Sequence, residues 1–436
     1  MEDMQYIYIN TSIINEGENL CVLPYELTEN QWDFYYAFSW WMEGFGAILI
    51  GCIGILLNCT TIFVLLSGDL AASFFNWLLV CLAVFDNFFL LSGILEAFRN
   101  HIGSTNFHDY MFVMFFYPFR ATVMLCSIYT TMMLALERHN AMTKPLAHQG
   151  NGFRSGRRSL KKYMSLHGTR LLKYIGPIVL CSTLFHIPKL LEVGIESHQN
   201  CKKPGLNDTC NFGYEIAITR LRSNNHYNLW YLNIGNLLVT VAIPLVSLTY
   251  LNVSIYLKFK QFLQRQPLVR GASDSNDVVS HTIEKLRKRE KDMVQQTRVL
   301  FSIVILFGLF HILRIILNIE EFTSLDEMKK AKEVKGCEWL QYWTIISSAV
   351  SHLLLQINSS VNFVIYCYFN KSFRDELISR LNLISTFFKV TICCRKKEER
   401  NSDTKLNNSE LDNAKNFETK ELNQRKESNE YIAVLE

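Results

Sequence analysis

Seven long apolar stretches restrict this chain more than any other feature. They lie at about Trp41–Leu66, Asn76–Phe98, Tyr110–Leu136, Leu171–Val193, Leu229–Leu257, Val294–Ile319 and Tyr342–Phe369. Each is about as long as a helix must be to cross a hydrocarbon core roughly 30 Å thick at about 1.5 Å per residue. In lipid the backbone N–H and C=O groups must bond within the segment, so each stretch is read as a helix. A chain of 436 residues with 49% hydrophobic and 19% charged residues could otherwise form several soluble domains. Clustering of the apolar residues points instead to an all-α membrane protein, a seven-helix bundle.

Lys and Arg orient it. Met1 to Ser39 contains neither, whereas Lys144 to Lys173 carries eight with no acidic residue between them. The positive-inside rule puts the N-terminus outside and this segment in the cytoplasm. Lys258 to Arg298 and the Arg395–Lys397 tail agree, and the lysines of the loops after the fourth and sixth stretches dilute the bias without reversing it. The acidic start shows no basic and apolar signal-peptide pattern, so the first helix is expected to insert directly. The expected organisation is an extracellular segment (1–39), a seven-helix domain (40–370), an amphipathic helix in the membrane interface (371–392) and a disordered cytoplasmic tail (393–436). The net charge of +4 suits anionic lipid and a cytosolic partner, not nucleic acid.

Of the twelve cysteines, Cys21, Cys201, Cys210 and Cys337 fall outside, where disulfides persist. Four cysteines allow three pairings. Cys201 and Cys210 lie close together in one loop, so a local bridge is the first expectation, leaving Cys21 for Cys337. Asn10 and Asn207 begin outer-side glycosylation sequons. Cys393 and Cys394, just beyond the amphipathic segment, are lipidation candidates.

"CLAVFDNFF" places Asp86 inside an apolar run. A carboxylate near the centre of a membrane helix is unfavourable by about 2.5–3.5 kcal/mol and calls for partners inside the bundle. The other intramembrane polar groups singled out are Asn58, Ser127, Asn358 and Asn362, the last two sharing a helix face. Such a cluster can hold a hard cation with water, or join helices by hydrogen bonds.

"GILLN" ending at Asn58, "LAVFD" at Leu82–Asp86, "ALERH" at Ala135–His139, "AIP" ending at Pro244 and "NSSVNFVIY" at Asn358–Tyr366 resemble, in order and spacing, the helix signatures of rhodopsin-like G-protein-coupled receptors. "LFHIPKLLE", "HILRIILNIEE" and "NSSVNF" further resemble the invertebrate FMRFamide-receptor group of neuropeptide receptors. The resemblance implies a sodium site at Asp86, Ser127, Asn358 and Asn362 as allosteric modulator, with no other cofactor. It implies a G-protein switch at Glu137, Arg138, His139 and Tyr366, and a transmission set of Ile128, Pro244, Phe307 and His311. Departures are plain: His139 replaces a tyrosine, His311 and Leu313 replace tryptophan and proline, Phe363 replaces a proline, and Asn252 takes a tyrosine position. Val113 stands where the family has the cysteine that tethers the second outer loop, which strengthens the local Cys201–Cys210 pairing.

Arg120 occupies the amine-pairing position of aminergic receptors and Gln356 the retinal-lysine position of opsins, so neither ligand class fits. Glu96, Arg120, His186, Arg314 and Gln356 are the pocket candidates, of both charge signs, which suits a peptide ligand. Lys189, Glu192 and Arg99 are read as snorkelling to the interface. The leading expectation is a non-enzymatic plasma-membrane receptor with a peptide ligand, a heterotrimeric G protein and arrestin at the tail as partners. The alternatives are a receptor for a small acidic or lipid ligand held by Arg120, and a transporter using Asp86 as a cation relay.

Overall fold

The computed structural model describes residues 22–23, 28–103, 105–143, 160–201, 210–222, 224–270, 277–324, 327, 330, 338–339 and 341–383. The chain divides into two compact units, Met1–Arg374 and Asp375–Glu436.

In the first unit, α1 spans Glu29–Leu65 and α2 Phe74–His101. Helix α3 runs through Asn106–Met111, a π-helical Phe112–Phe116 and Tyr117–Thr143. Helix α4 is Leu160–His186 with a closing 3₁₀ turn at Ile187–Leu191, and α5 covers 225–270 with π-helical stretches at Asn228–Gly235 and Leu237–Ala242. Helix α6 is Asp277–Thr323, and α7 is Tyr342–Ser360 followed, after a turn at Val361, by Asn362–Phe369. Residues 371–383 form α8, which begins in the first unit. Asn370 caps it, its Oδ1 accepting from the Phe373 N–H at 3.0 Å. In the second unit the described residues, 375–383, are helical, and Arg380 Nε donates to Glu376 at 2.8 Å.

Six helices among the described residues are long and apolar enough to cross a membrane. Helix α7, the seventh expected span, falls short on apolarity because its Thr344, Ser348, Ser351, Gln356, Ser359 and Ser360 are all buried, turned into the bundle. Helix α3 touches α2, α4, α5 and α6, while α7 closes the bundle against α1, α2 and α6. The interior is largely apolar, but the outer surface is apolar too and polar groups are gathered inside. Leu56, Leu172, Val246 and Tyr250 are exposed on the outer surface, whereas Asn58, Asp86, Ser351 and Gln356 are buried within. That is the arrangement a lipid-facing bundle requires.

Helix α1 begins twelve residues before the apolar run at Trp41. Gln31 returns its side chain to the Thr28 N–H at 2.9 Å, and Tyr35 packs on Ile345 of α7. The extension is thus held by a cap and aromatic packing rather than by hydropathy. Between α1 and α2, Gly68 adopts φ +55°, and Asn76 and Trp77 each donate at 2.8 Å to the carbonyls of Leu70 and Ala71.

Among the described residues, two ladders lie outside the helices. β1 (Val22–Leu23) pairs in parallel with β4 (Glu338–Trp339), Val22 opposite Glu338. β2 (Val193–Cys201) and β3 (Cys210–Ile218) form an antiparallel hairpin in register from Val193↔Ile218 to Cys201↔Cys210.

Candidate functional site: a polar core, a charged cavity and an arginine face

The central carboxylate has its partners. Asp86 is 1% exposed; the Ser127 hydroxyl of α3 donates to its Oδ1 at 2.7 Å and Asn362 Nδ2 of α7 to its Oδ2 at 2.8 Å. The Ser359 hydroxyl also reaches this carboxylate. Asn58, fully buried on α1, donates to the Ser359 carbonyl at 3.0 Å, so α1, α2, α3 and α7 converge here. Asn358 does not join as the sequence pairing anticipated; it is half-buried and makes none of these bonds. Residues three and four before Asn362 both lie on its helix face, and with a turn at Val361 between them it is the nearer, Ser359, that meets Asp86. Tyr366 is 1% exposed, its ring centroid 5.7 Å from that of Phe373.

Around Arg138 at the far end of α3, the adjacent charges go separate ways. Glu137 accepts two hydrogen bonds from Arg170 of α4, at 2.9 and 3.0 Å, and the Arg170 guanidinium sits 4.0 Å above the Phe74 ring. The Arg138 guanidinium lies 3.9 Å over the ring of Phe75 in α2. His139 Nε2 is 3.1 Å from Ser254 Oγ and 2.8 Å from Lys258 Nζ, both on α5. Gln295 of α6 donates to the same Asn370 oxygen that caps α8. Ile128, Pro244, Phe307 and His311 are buried on α3, α5 and α6. The His311 ring is 4.0 Å from that of Phe307, and its Nδ1 is 2.8 Å from the Phe307 carbonyl.

Toward the hairpin end, a small cavity opens between α1, α2, α3 and α7, lined by Glu43, Gly93, Glu96, Arg120, His352 and Gln356 among others. Arg120 and Glu96 form an ion pair, and the Arg120 guanidinium is 5.3 Å from the Phe89 ring. His352 Nδ1 is 2.9 Å from Glu43 Oε1, and Ser39 Oγ donates to Glu43 Oε2 at 2.8 Å. Of the five pocket residues chosen from sequence, Glu96, Arg120 and Gln356 line this cavity. His186 and Arg314 do not. His186 is buried with Nδ1 2.9 Å from the Ser182 carbonyl of its own helix, and Arg314 Nη1 reaches Met124 Sδ at 3.5 Å. Position along a helix says how deep a residue sits but not which way its face is turned.

Residues 57–366 match the family described as the 7 transmembrane receptor (rhodopsin family), a match that spans the polar core, Arg138 and Tyr366. The chain belongs to the rhodopsin family of seven-transmembrane receptors. This is a multi-pass membrane family of receptors, not enzymes. The receptor is also similar to the FMRFamide receptor of Drosophila melanogaster, with 26% identity over 346 residues covering 77% of this chain and 53% of that protein. It therefore spans about half the length of the curated relative it matches.

One constellation in the receptor was not anticipated. Glu192, fully buried just before β2, accepts from the Tyr117 hydroxyl of α3 at 2.5 Å, from Tyr227 of α5 at 2.7 Å and from Arg222, itself 2% exposed. Arg222 and Lys189 also donate to the Tyr117 oxygen, at 3.0 and 3.3 Å. Burial opposes ionisation of Glu192, but the Lys189 and Arg222 charges, with the Tyr117 and Tyr227 hydrogen bonds, together outweigh it and hold the carboxyl below its ordinary range. Beside this network Phe112, Val113 and Tyr117 of α3 form an apolar cluster with Val193 and Ile216 of the hairpin. The snorkelling read for Lys189 and Glu192 is therefore corrected: both are interior. Arg99 is likewise turned inward, 4.0 Å over Phe112 and 3.7 Å from Asp109. The sequence signal that could have exposed the network was Arg222, a cation a few residues before the fifth apolar run. Asn10, Asn207, Cys393 and Cys394 lie outside the described residues, as does all of 384–436.

Proposed function

We propose that this chain is a plasma-membrane peptide receptor, its N-terminus and hairpin extracellular, which when liganded opens the Arg138 face to a heterotrimeric G protein. The observation that carries the reading is the cavity at the hairpin end, where carboxylates, a guanidinium and an imidazole line one space. A peptide presents several charged and polar groups at once and matches such a wall. Likeness to a protein named FMRFamide receptor favours an amidated peptide. The reading in which Arg120 holds a small acid or lipid is weakened because Arg120 already pairs with Glu96. Cells expressing the chain, challenged with a panel of amidated peptides and assayed for nucleotide exchange on G proteins, test it; ligand-independent substrate flux in proteoliposomes would favour a transporter instead.

Sodium beside Asp86 belongs to the same proposal. The carboxylate accepts from neutral donors, makes no ion pair among the described residues, and has hydroxyl oxygens around it, a donor set suited to a hard cation. Asp86, Ser127 and Ser359 would hold the ion, which would neutralise the buried charge in the resting state. Asp86→Asn is expected to remove the sodium dependence of agonist affinity. Wild-type affinity that is equal in sodium and in N-methylglucamine would sink the ion site.

The outer disulfides complete the reading. Cys201 and Cys210 face each other in the β2–β3 register, and Cys21 and Cys337, outside the described residues, each immediately precede a residue of the β1–β4 ladder. Nonreducing peptide mapping should recover Cys201 joined to Cys210 and Cys21 joined to Cys337. A Cys201–Cys337 peptide would refute both. Glycosylation at Asn10 and Asn207, palmitoylation at Cys393 and Cys394, and arrestin binding to the tail are proposed with them.

A further inference from the structure

The cavity between α1, α2, α3 and α7 carries one unmet demand. Gln356 is 3% exposed and lines the cavity, yet among the described residues its Oε1 has no hydrogen-bond partner. Its Nε2 packs against α2 at Gly93, where an added Cβ would stand 2.8 Å from it and displace the amide. The amide thus presents an acceptor, and a buried acceptor left without a donor is costly.

The charges nearby have the same sense. Glu43 and Glu96 contribute two carboxylates, but among the described residues only Glu96 has a permanently charged partner, Arg120. Glu43 meets His352, charged only when protonated, and the neutral Ser39 hydroxyl. An incoming group that brings positive charge and several N–H donors, and no acceptor, satisfies both Glu43 and Gln356. A guanidinium does so, with five donors in a planar fork that matches a carboxylate in two bonds. An ammonium supplies the charge but not the fork.

We propose that this cavity is the subsite for a guanidinium group of the ligand, with Glu43 as its counter-charge and Gln356 Oε1 as its second acceptor. The Glu96–Arg120 pair holds the opposite wall. The assignment deepens the peptide-receptor reading and rests on it for the source of the guanidinium.

The test uses purified full-length receptor and two small probes, N-acetyl-arginine amide and its neutral near-isostere N-acetyl-citrulline amide, with thermal stability as readout. The arginine compound should raise the melting temperature in a saturable way and the citrulline compound should not. Glu43→Gln, close in shape and able to keep its bond from Ser39, should weaken the arginine probe about tenfold or more, as should Gln356→Leu. Equal shifts from both probes, or an arginine shift that survives Glu43→Gln unchanged, would overturn the assignment. If the probes behave as stated but no amidated peptide triggers nucleotide exchange, the peptide reading fails while the guanidinium subsite stands.

Discussion

Glu192→Ala is expected to lower the thermal stability of the solubilised receptor by about 3–5 kcal/mol, the cost typical of removing one partner from a buried ion pair. Against a total of about 5–15 kcal/mol for a folded domain, that is enough to empty the cell surface of receptor. The carboxylate satisfies two tyrosine hydroxyls and an arginine at once, all inside the protein, so its loss strands several groups together. Its position explains why so much rests on it. Val113 leaves the hairpin end of α3 without a cysteine, and among the described residues the Tyr117–Glu192–Arg222 network and the apolar cluster around Val113 join hairpin to helix. A paired substitution separates this from a general packing defect. Glu192→Leu with Arg222→Met removes both charges, and it should cost less than the sum of the single changes because no uncompensated ion remains. Melting temperature and surface labelling of the two singles and the double are the measurements. A Glu192→Ala receptor that melts within a degree of wild type would show that the hairpin is held by something else.

Most of the bundle was legible because apolar length is a coarse quantity that survives without knowledge of neighbours. Six of the seven runs reappear as apolar helices, and α7 was found despite its inward-facing serines because its leucines, isoleucines and aromatics still mark a span. Features that depend on two distant segments were not legible. "CNFGYEIAI" alternates, with Phe212, Tyr214, Ile216 and Ile218 at every second position, but "VGIESHQNC" turns polar after Ile195, so the partner strand gives little periodic signal. Glu192 at the end of an apolar run looks like a residue reaching for water until Arg222 and Tyr117, thirty residues after it and seventy-five before, are brought beside it. The same limit separates the pocket residues. Glu96, Arg120 and Gln356 were placed on the cavity by depth, whereas His186 and Arg314, chosen on the same ground, face elsewhere.

Arg138→Ala is expected to reduce agonist-stimulated nucleotide exchange by about 5–150-fold, the range of an allosteric coupling of about 1–3 kcal/mol, at unchanged surface level. The geometry makes the resting state of this arginine specific. Its guanidinium lies on Phe75, while Glu137, the acid next to it, is occupied by Arg170. A desolvated guanidinium over an aromatic face is worth about 2 kcal/mol, comparable to the coupling itself. Arg138 thus contacts the Phe75 ring, and the Glu137 hydrogen bonds go to Arg170. Two further substitutions follow from that difference. Phe75→Leu should raise ligand-independent exchange, because the stored position loses its attraction while the arginine remains. Glu137→Gln should raise it little, because the bonds it loses are to Arg170. If Glu137→Gln activates and Phe75→Leu does not, the adjacent acid restrains the arginine and the aromatic face is only packing. Retained exchange in Arg138→Ala at normal surface level would remove this residue from the switch altogether.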